Sequence, residues 1–479
     1  MRIFILFCAP LILGCANKGL VRFDKISKQA AGQDFLGAAH QIRNNPALYG
    51  SEGTLLRHLD LGLLYHYAGH YDSSVIFLRK AVKIHEDLFS KSITNEAVSL
   101  LINDNVRPYR GRPYEITWLH LILAFDYLAQ GNLDDARVEI RQAQIFLDAV
   151  AHNAGAGEYR DDGLFRFISA LIYEALGEKD DALISLYKAV KAYRNGKTAV
   201  PPSLARYAQA ALTAGGREND VLELELPVPD AAATAPDRGD GEIVVVGEMG
   251  RSPSLGESVF WGTWVRDGVL VYHYRDEHGN TVTDALPAPG LPPREYDDRQ
   301  RNRGNGQKRR SRKTQSGTTF HVKWAMPALR DTRSESLLLR VSGDSGPAHG
   351  ETFADTRDLL QNDLEQNRAA NLTRTVIRVL VRTLAAQEAK DEMSGGNPLV
   401  NLFFNIGTDI LGDQLEQADV RLWFLLPRTI QIARIPVKPG RYHLDLGAEN
   451  ASGRIVRSEM RTVDVKAGEK KFLFFTSLK

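Results

Sequence analysis

Cysteine is almost absent from this 479-residue chain, which holds only Cys8 and Cys15. Both lie at the N-terminus, so no disulfide framework can staple the remainder, and the fold must stand on its hydrophobic core. Long apolar runs are missing as well: no later stretch reaches the ~18 to 20 residues that a membrane-spanning helix needs. An excess of charge of one sign is also lacking, with 60 Lys and Arg against 59 Asp and Glu. That balance, with 43% hydrophobic residues, excludes a disordered or nucleic-acid-coating chain and fits about two or three globular domains.

What is present starts with MRIFILFCAPLILGCANKG. Arg2 precedes an apolar run from Ile3 to Leu13. At ~1.5 Å per residue the run is too short to cross a bilayer and has the dimensions of a secretory signal h-region. Ile12-Leu13-Gly14-Cys15 then resembles the lipobox of bacterial lipoproteins. The resemblance implies cleavage after residue 14, a diacylglyceryl thioether on Cys15 and acylation of the new terminus, enough acyl chain to hold a protein on a bilayer. Ala16 in place of Asp after the cysteine resembles substrates sorted to the outer membrane.

From 15 to 220 the pattern predicts an all-α domain of tetratricopeptide-like helical hairpins stacked as a solenoid. Three segments align: Gly62, Tyr65, Gly69, Leu78 and Ala81; then Ala124, Tyr127, Gly131, Ile140 and Ala143; then Ala170, Tyr173, Gly177, Leu186 and Ala189. Small residues allow two helices to cross closely, the glycine ends the first helix, and Asp72, Asp134 or Asp180 opens the second at its positive end. The turn glycines are spaced more widely than the ~34 residues of a regular array, so extra helix or loop separates the units. Such solenoids bind protein partners on a concave face. Between the first two units, NDNVRPYRGRPYEITWLH crowds arginine with aromatic residues. Tyr109, Arg110, Tyr114 and Trp118 are the candidate partner-binding residues; Tyr114 and Trp118 read equally well as core residues of the helix that Pro113 starts.

Residues 221–240 read as a Pro, Ala and Asp linker, and 241–479 as an α+β domain with antiparallel strands and a helical hairpin. Strands are predicted at 242–248, 258–265, 268–276, 281–283, 318–327 and 336–342, with more after Thr429. A basic insert at 287–317 predicts no ordered structure. One long amphipathic helix is expected over 351–388 and a second from Pro398, whose apolar face is expected to pack inside the domain, with a bilayer surface or pairing of residues 398–415 with a second copy of the chain as the alternatives.

No catalytic constellation emerges. Val341 to Pro347, VSGDSGP, resembles the segment around a serine-protease nucleophile but lacks its second glycine and any upstream histidine segment. Gly196-Lys197-Thr198 lacks the glycine that a phosphate loop needs five residues earlier. His66 and His70 have ligand spacing, yet Gly69 places a turn between them, so the expectation is no metal and no cofactor.

Three stretches together resemble a family of functionally uncharacterised bacterial lipoproteins that join an N-terminal tetratricopeptide region to a mixed C-terminal domain. They are YRGRPYEITWLHLILAFDYLAQGNLDDARVEIRQA at 109–143, GEIVVVGEMGRSP at 241–253 and EQADVRLWFLLPRTIQIARIPVKPGRYHLDL at 416–446. The basic insert and Ser254, where a basic residue is expected, depart from that pattern. The resemblance implies a cell-envelope role and carries no enzymatic activity across. Together with the lipobox-like segment and the repeats, the expectation is an outer-membrane lipoprotein facing the periplasm, not an enzyme and not a nucleic-acid binder, that acts as a scaffold for an envelope protein partner. The alternative is an envelope enzyme acting on peptidoglycan or peptide from the C-terminal domain. Radiolabelled palmitate is expected to mark the chain in cells and to leave Cys15→Ala unlabelled; equal labelling of the two removes the anchor.

Overall fold

The computed structural model describes residues 18–92, 107–154, 161–226, 240–265, 269–275, 279–287, 319–391 and 417–479. The expected signal peptide 1–14, Cys15, residues 288–317 of the basic insert and the apolar segment 398–415 lie outside the described residues.

Helices α1 (Lys18–Ala31) and α2 (Phe35–Asn44) lead into three hairpins. These are α3 (Thr54–Tyr67) with α4 (Tyr71–Ser92), α5 (Pro113–Ala129) with α6 (Leu133–Ala154), and α7 (Gly163–Ala175) with α8 (Lys179–Asn195). Each turn holds the predicted glycine with positive φ: Gly69 at 72°, Gly131 at 74° and Gly177 at 77°. A side chain at such a φ is strained, so glycine ends the first helix where other residues would resist. Acidic residues occupy the first turn of each second helix, Asp72, Asp134 and Asp180 among them. Gly62 fills the crossing of α3 and α4, where a Cβ would stand 2.5 Å from Leu78 Cγ. Then α9 (Pro202–Ala214) and α10 (Glu218–Glu223) close the helical region. Leu224 and Leu226 are buried in its core, so the packed helical part runs beyond residue 220 into the first residues of the expected linker.

Among the described residues, three four-stranded sheets follow. The first has the order β12 (Lys470–Ser477), β1 (Gly241–Arg251), β9 (Pro427–Val437), β8 (Glu351–Asp355). The second has the order β11 (Ile455–Val465), β10 (Gly440–Glu449), β6 (Leu338–Gly343), β7 (Ala348–His349). The third has the order β4 (Thr281–Pro287), β3 (Val269–Arg275), β2 (Ser254–Val265), β5 (Thr319–Arg330). Pairing is antiparallel except between β1 and β12, which run parallel. The expected strands are all present, but the long helix begins five residues late. Glu351–Asp355 pairs with β9 as β8, and α11 (Thr356–Asp391) starts only after it.

The first sheet is the middle layer of three. Along β1, Ile243, Val245 and Met249 face the second sheet, while Val244 and Val246 enter the core of the helical region. Its neighbours alternate in the same phase: Ile430, Ile432, Phe472 and Phe474 point to the helices, and Ile435 and Phe475 to the sandwich. A strand covered on both faces reads as an unbroken apolar run, which is what EIVVVG is. The third sheet packs Phe260, Tyr272, Trp324 and Met326 against Leu372 and Val376 of α11.

The inner face of the hairpin array is covered by the chain itself: Phe353, Phe472 and Phe474 of the first sheet, with Trp423 and Leu425 just before β9, share one core with α3, α5 and α7. Gly62→Val is expected to destabilise the fold by about 1–3 kcal/mol through overpacking, read by chemical denaturation, with partial recovery when Leu78→Ala is added.

Candidate functional site

The residues named for partner binding divide between core and surface. Trp118 is 0% exposed and donates Nε1–H to Asp162 Oδ2 at 3.0 Å. Asp162 also caps α7 by accepting from the Phe165 amide. Tyr109 is 6% exposed, and its hydroxyl donates to Glu115 Oε2 at 2.5 Å. Tyr114 is packed against the same core. The Tyr109 and Trp118 rings are used inside the chain and offer no surface to a partner, which corrects the interface reading for those two, whereas Tyr114 is half-buried. Arg110 alone of the four is exposed.

Glu115 is the centre of that corner. It is fully buried and accepts from the Tyr109 hydroxyl, the Arg112 amide at 2.9 Å and the Trp423 amide at 2.7 Å. Burial raises its pKa, and the Arg112 guanidinium and these donors act against the rise. Pro113 supplies no amide at the first position of α5, and the Glu115 side chain reaches back to accept from the amide of the N-cap residue Arg112. One carboxylate thus fixes the start of α5 and the segment before β9 to each other.

Residues from both regions meet at two further buried charge clusters, one near each end of β1 on its helix-facing side. At one end Glu242 pairs with Arg434 at 2.6 Å and with Lys470, and the Arg434 guanidinium lies 3.6 Å from the Tyr207 ring centroid. Burial alone would raise Glu242, but the two cations hold it below the usual carboxylate range. At the other end Glu248 faces His66 of α3. His66 Nδ1 is 2.6 Å from Asp126 of α5, and Nε2 is 3.2 Å from Glu248 Oε1, an ion-pair distance without hydrogen-bond alignment. Thr476 donates to Glu248 Oε2 at 2.6 Å. Burial alone would lower the imidazole, yet the Glu248 and Asp126 carboxylates outweigh it and raise it to about 10. Sequence spacing gave His66 no role, since its partners come from α5 and β1. His70 sits in the turn and is exposed, so the two histidines do not converge. Among the described residues no group of three or more His, Cys, Asp or Glu side chains could hold a metal ion. All three members of the His66 cluster are sealed from solvent, which suits cohesion and not turnover of a substrate.

The other sequence candidates are structural. Asp344 lies between β6 and β7 and accepts from the His443 backbone amide at 2.9 Å, with His443 Nδ1 3.0 Å from the same carboxylate oxygen. The Ser345 hydroxyl bonds to the Gly346 carbonyl of its own turn, so no serine nucleophile is aligned with that histidine. Gly196 caps the end of α8.

Among the described residues an opening lies where the RPYRGR segment, β5, α11 and the segment before β9 meet. It is a cavity of about 290 Å³ whose lining includes Arg107, Arg110, Arg112, Arg374, Arg378 and Arg421, with Asp419 as the one acidic residue. Asn371, Arg374, Thr375 and Arg378 follow one another at helical spacing, so one face of α11 forms a wall. Arg421 is held by Asp419 at 2.7 Å, donates to the Arg107 carbonyl at 2.8 Å and lies 5.4 Å from the Tyr109 ring centroid. Arg112 pairs with Asp363. The sequence cluster at 107–112 is therefore half of this site, and α11 with Arg421 supplies the other half.

No family model and no curated protein matches this chain. The resemblance to bacterial lipoproteins thus gains no support from those comparisons. Among solved structures, nearly identical TPR-like repeats of a Podosopora anserina kinesin-light-chain-type protein align at 18% identity. They cover 43% of this chain and 92% of that one with a TM-score of 0.29, and a single-substitution variant aligns at 17% and 0.29. A TM-score that low carries no argument; the hairpin assignment rests on the glycine turns and helix crossings described above.

His66→Ala is expected to cost about 3–5 kcal/mol, since it leaves two buried carboxylates without their cation. The wild-type imidazole is raised from its unfolded value of 6.5 to about 10. Its contribution is therefore complete below about pH 6.5 and falls as pH rises through 10. Melting curves between pH 6 and 10 should show that decline in the wild type and a flatter profile in the variant.

Proposed function

We propose that the protein is a membrane-anchored envelope lipoprotein, lipidated at Cys15 and facing the periplasm, that serves as a protein-binding scaffold. The reading is non-enzymatic: the buried carboxylates and imidazole described above are occupied with one another, and none lines an opening with a nucleophile. Since the inner face of the hairpin array is covered by the first sheet, binding falls to the outer helices α4, α6 and α8.

One observation carries the proposal. Ile76, Val138 and Ile184 each lie seven residues after the turn glycine of their hairpin, and they are 55%, 44% and 42% exposed. A single exposed aliphatic residue is ordinary, but the same position left apolar and open in three successive units is not accounted for by the core. Ile145 on α6, 63% exposed, extends the surface. An apolar patch repeated along a hairpin array supplies the anchors that an interface core uses.

A photo-reactive residue placed in cells at 76, 138 or 184 should give one adduct of common size, absent when the probe stands at the still more exposed Met460 of β11. Failure to cross-link at all three positions, or the same adduct from Met460, removes the scaffold reading.

A further inference from the structure

The arginine-lined cavity is not used by the scaffold reading, and it has the features of a binding site built for a particular charge. Six guanidinium groups share one lining of about 290 Å³ with a single carboxylate, Asp419. Arg112 and Arg421 are each paired with a carboxylate, Asp363 and Asp419, and the further positive charge gathered on the same lining favours an anion there. The cluster is also assembled from distant parts of the chain: Arg107, Arg110 and Arg112 before α5, Arg374 and Arg378 on α11, and Arg421 before β9. No local accident of composition accounts for that convergence.

The side chains are held in place by neighbours. Arg421 is gripped by both oxygens of Asp419, and Arg112 is paired with Asp363 while its Nε is buried with no acceptor. Arg378 is 1% exposed, so its charge is carried on the wall and not out into solvent. Arg110 and Arg374 are in no ion pair among the described residues and line the same cavity. Guanidinium groups present planar forks that match the oxygens of phosphate or carboxylate. A single carboxylate would balance only one of them. A phosphoryl group carries about 1.5 to 2 negative charges near neutral pH, and a pyrophosphoryl group more, on oxygens spread in three dimensions, and it fits forks approaching from several directions. The volume is near the lower limit of small-molecule pockets, enough for such a head group but not for a folded partner.

We propose that this cavity binds a phosphorylated small ligand through its phosphoryl or pyrophosphoryl group, with Arg110 and Arg374 as the residues that close on it. The phosphate can arrive free in solution or on the head group of a lipid, and the chemistry of recognition is the same.

The test is isothermal titration of the full-length protein with sodium pyrophosphate and, separately, with dihexanoyl phosphatidic acid, at fixed ionic strength. Saturable one-site binding is expected in at least one arm, weakened at least tenfold in R110Q/R374Q. The control R441Q/R461Q removes the same charge from β10 and β11 and should bind as the wild type does. Tighter binding of pyrophosphate points to a free ligand, and tighter binding of the short-chain lipid to a head group; either supports the site. Equal weakening in both double variants would reduce the effect to net charge and overturn the proposal. So would no saturable binding in either arm, or citrate binding as tightly as both phosphates. Circular dichroism melts of R110Q/R374Q separate lost binding from lost fold, and Arg110→Lys with Arg374→Lys, which keeps charge without the fork, should recover only part of the affinity.

Discussion

A strand covered on both faces needs apolar side chains at nearly every position, and any charge it carries must find a partner built into one of the two layers. In β1 the odd positions complete a β-sandwich and the even positions complete a helical core. Glycine replaces a side chain at Gly247, where a Cβ would crowd Leu339. Acid appears only at Glu242 and Glu248, on the helix side and near the two ends. The helical array and the sandwich thus do not meet as separate domains across a wet interface. They share a wall one strand thick.

Those two glutamates give the helices a fixed position on the sheet. Apolar contact is non-directional, so Val244 and Val246 could pack against the helices at several offsets. The Glu248–His66–Asp126 cluster and the Glu242–Arg434–Lys470 cluster admit one offset, because a shift would strand a buried charge. Their worth lies in specifying the arrangement more than in adding net stability. Tyr67 and Tyr193 act in the same way by donating their hydroxyls to the carbonyls of Leu425 and Phe353.

Much of this was legible in the chain. Helix crossings demand small residues and turns demand glycine, so Gly62, Gly69, Gly131 and Gly177 announce hairpins. Alternation and apolar runs announce the strands. The failures have a common cause in long-range pairing. Glu351–Asp355 has no strong pattern of its own and becomes a strand because β9 offers an edge. Tyr109 and Trp118 resemble interface residues because aromatic composition does not encode exposure; only Glu115 and Asp162, met in the fold, show that their polar atoms are satisfied internally. His66 and Asp126 are 60 residues apart in the chain, and nothing local joins them. The arginine cavity was half legible, as RPYRGR, because α11 and Arg421 reach it only through tertiary structure.

The parallel pairing of β12 with β1 bears on how the chain comes to be folded. Phe472 and Phe474 enter the core of helices that are made far earlier, and Tyr67 waits 358 residues for the carbonyl of Leu425. During synthesis from the N-terminus the hairpins can form, since their contacts are local, but their inner face stays bare until the final strand arrives. The helical array is therefore made well before the strands that cover it, and for most of its early life it presents to its surroundings the apolar surface that the mature fold conceals.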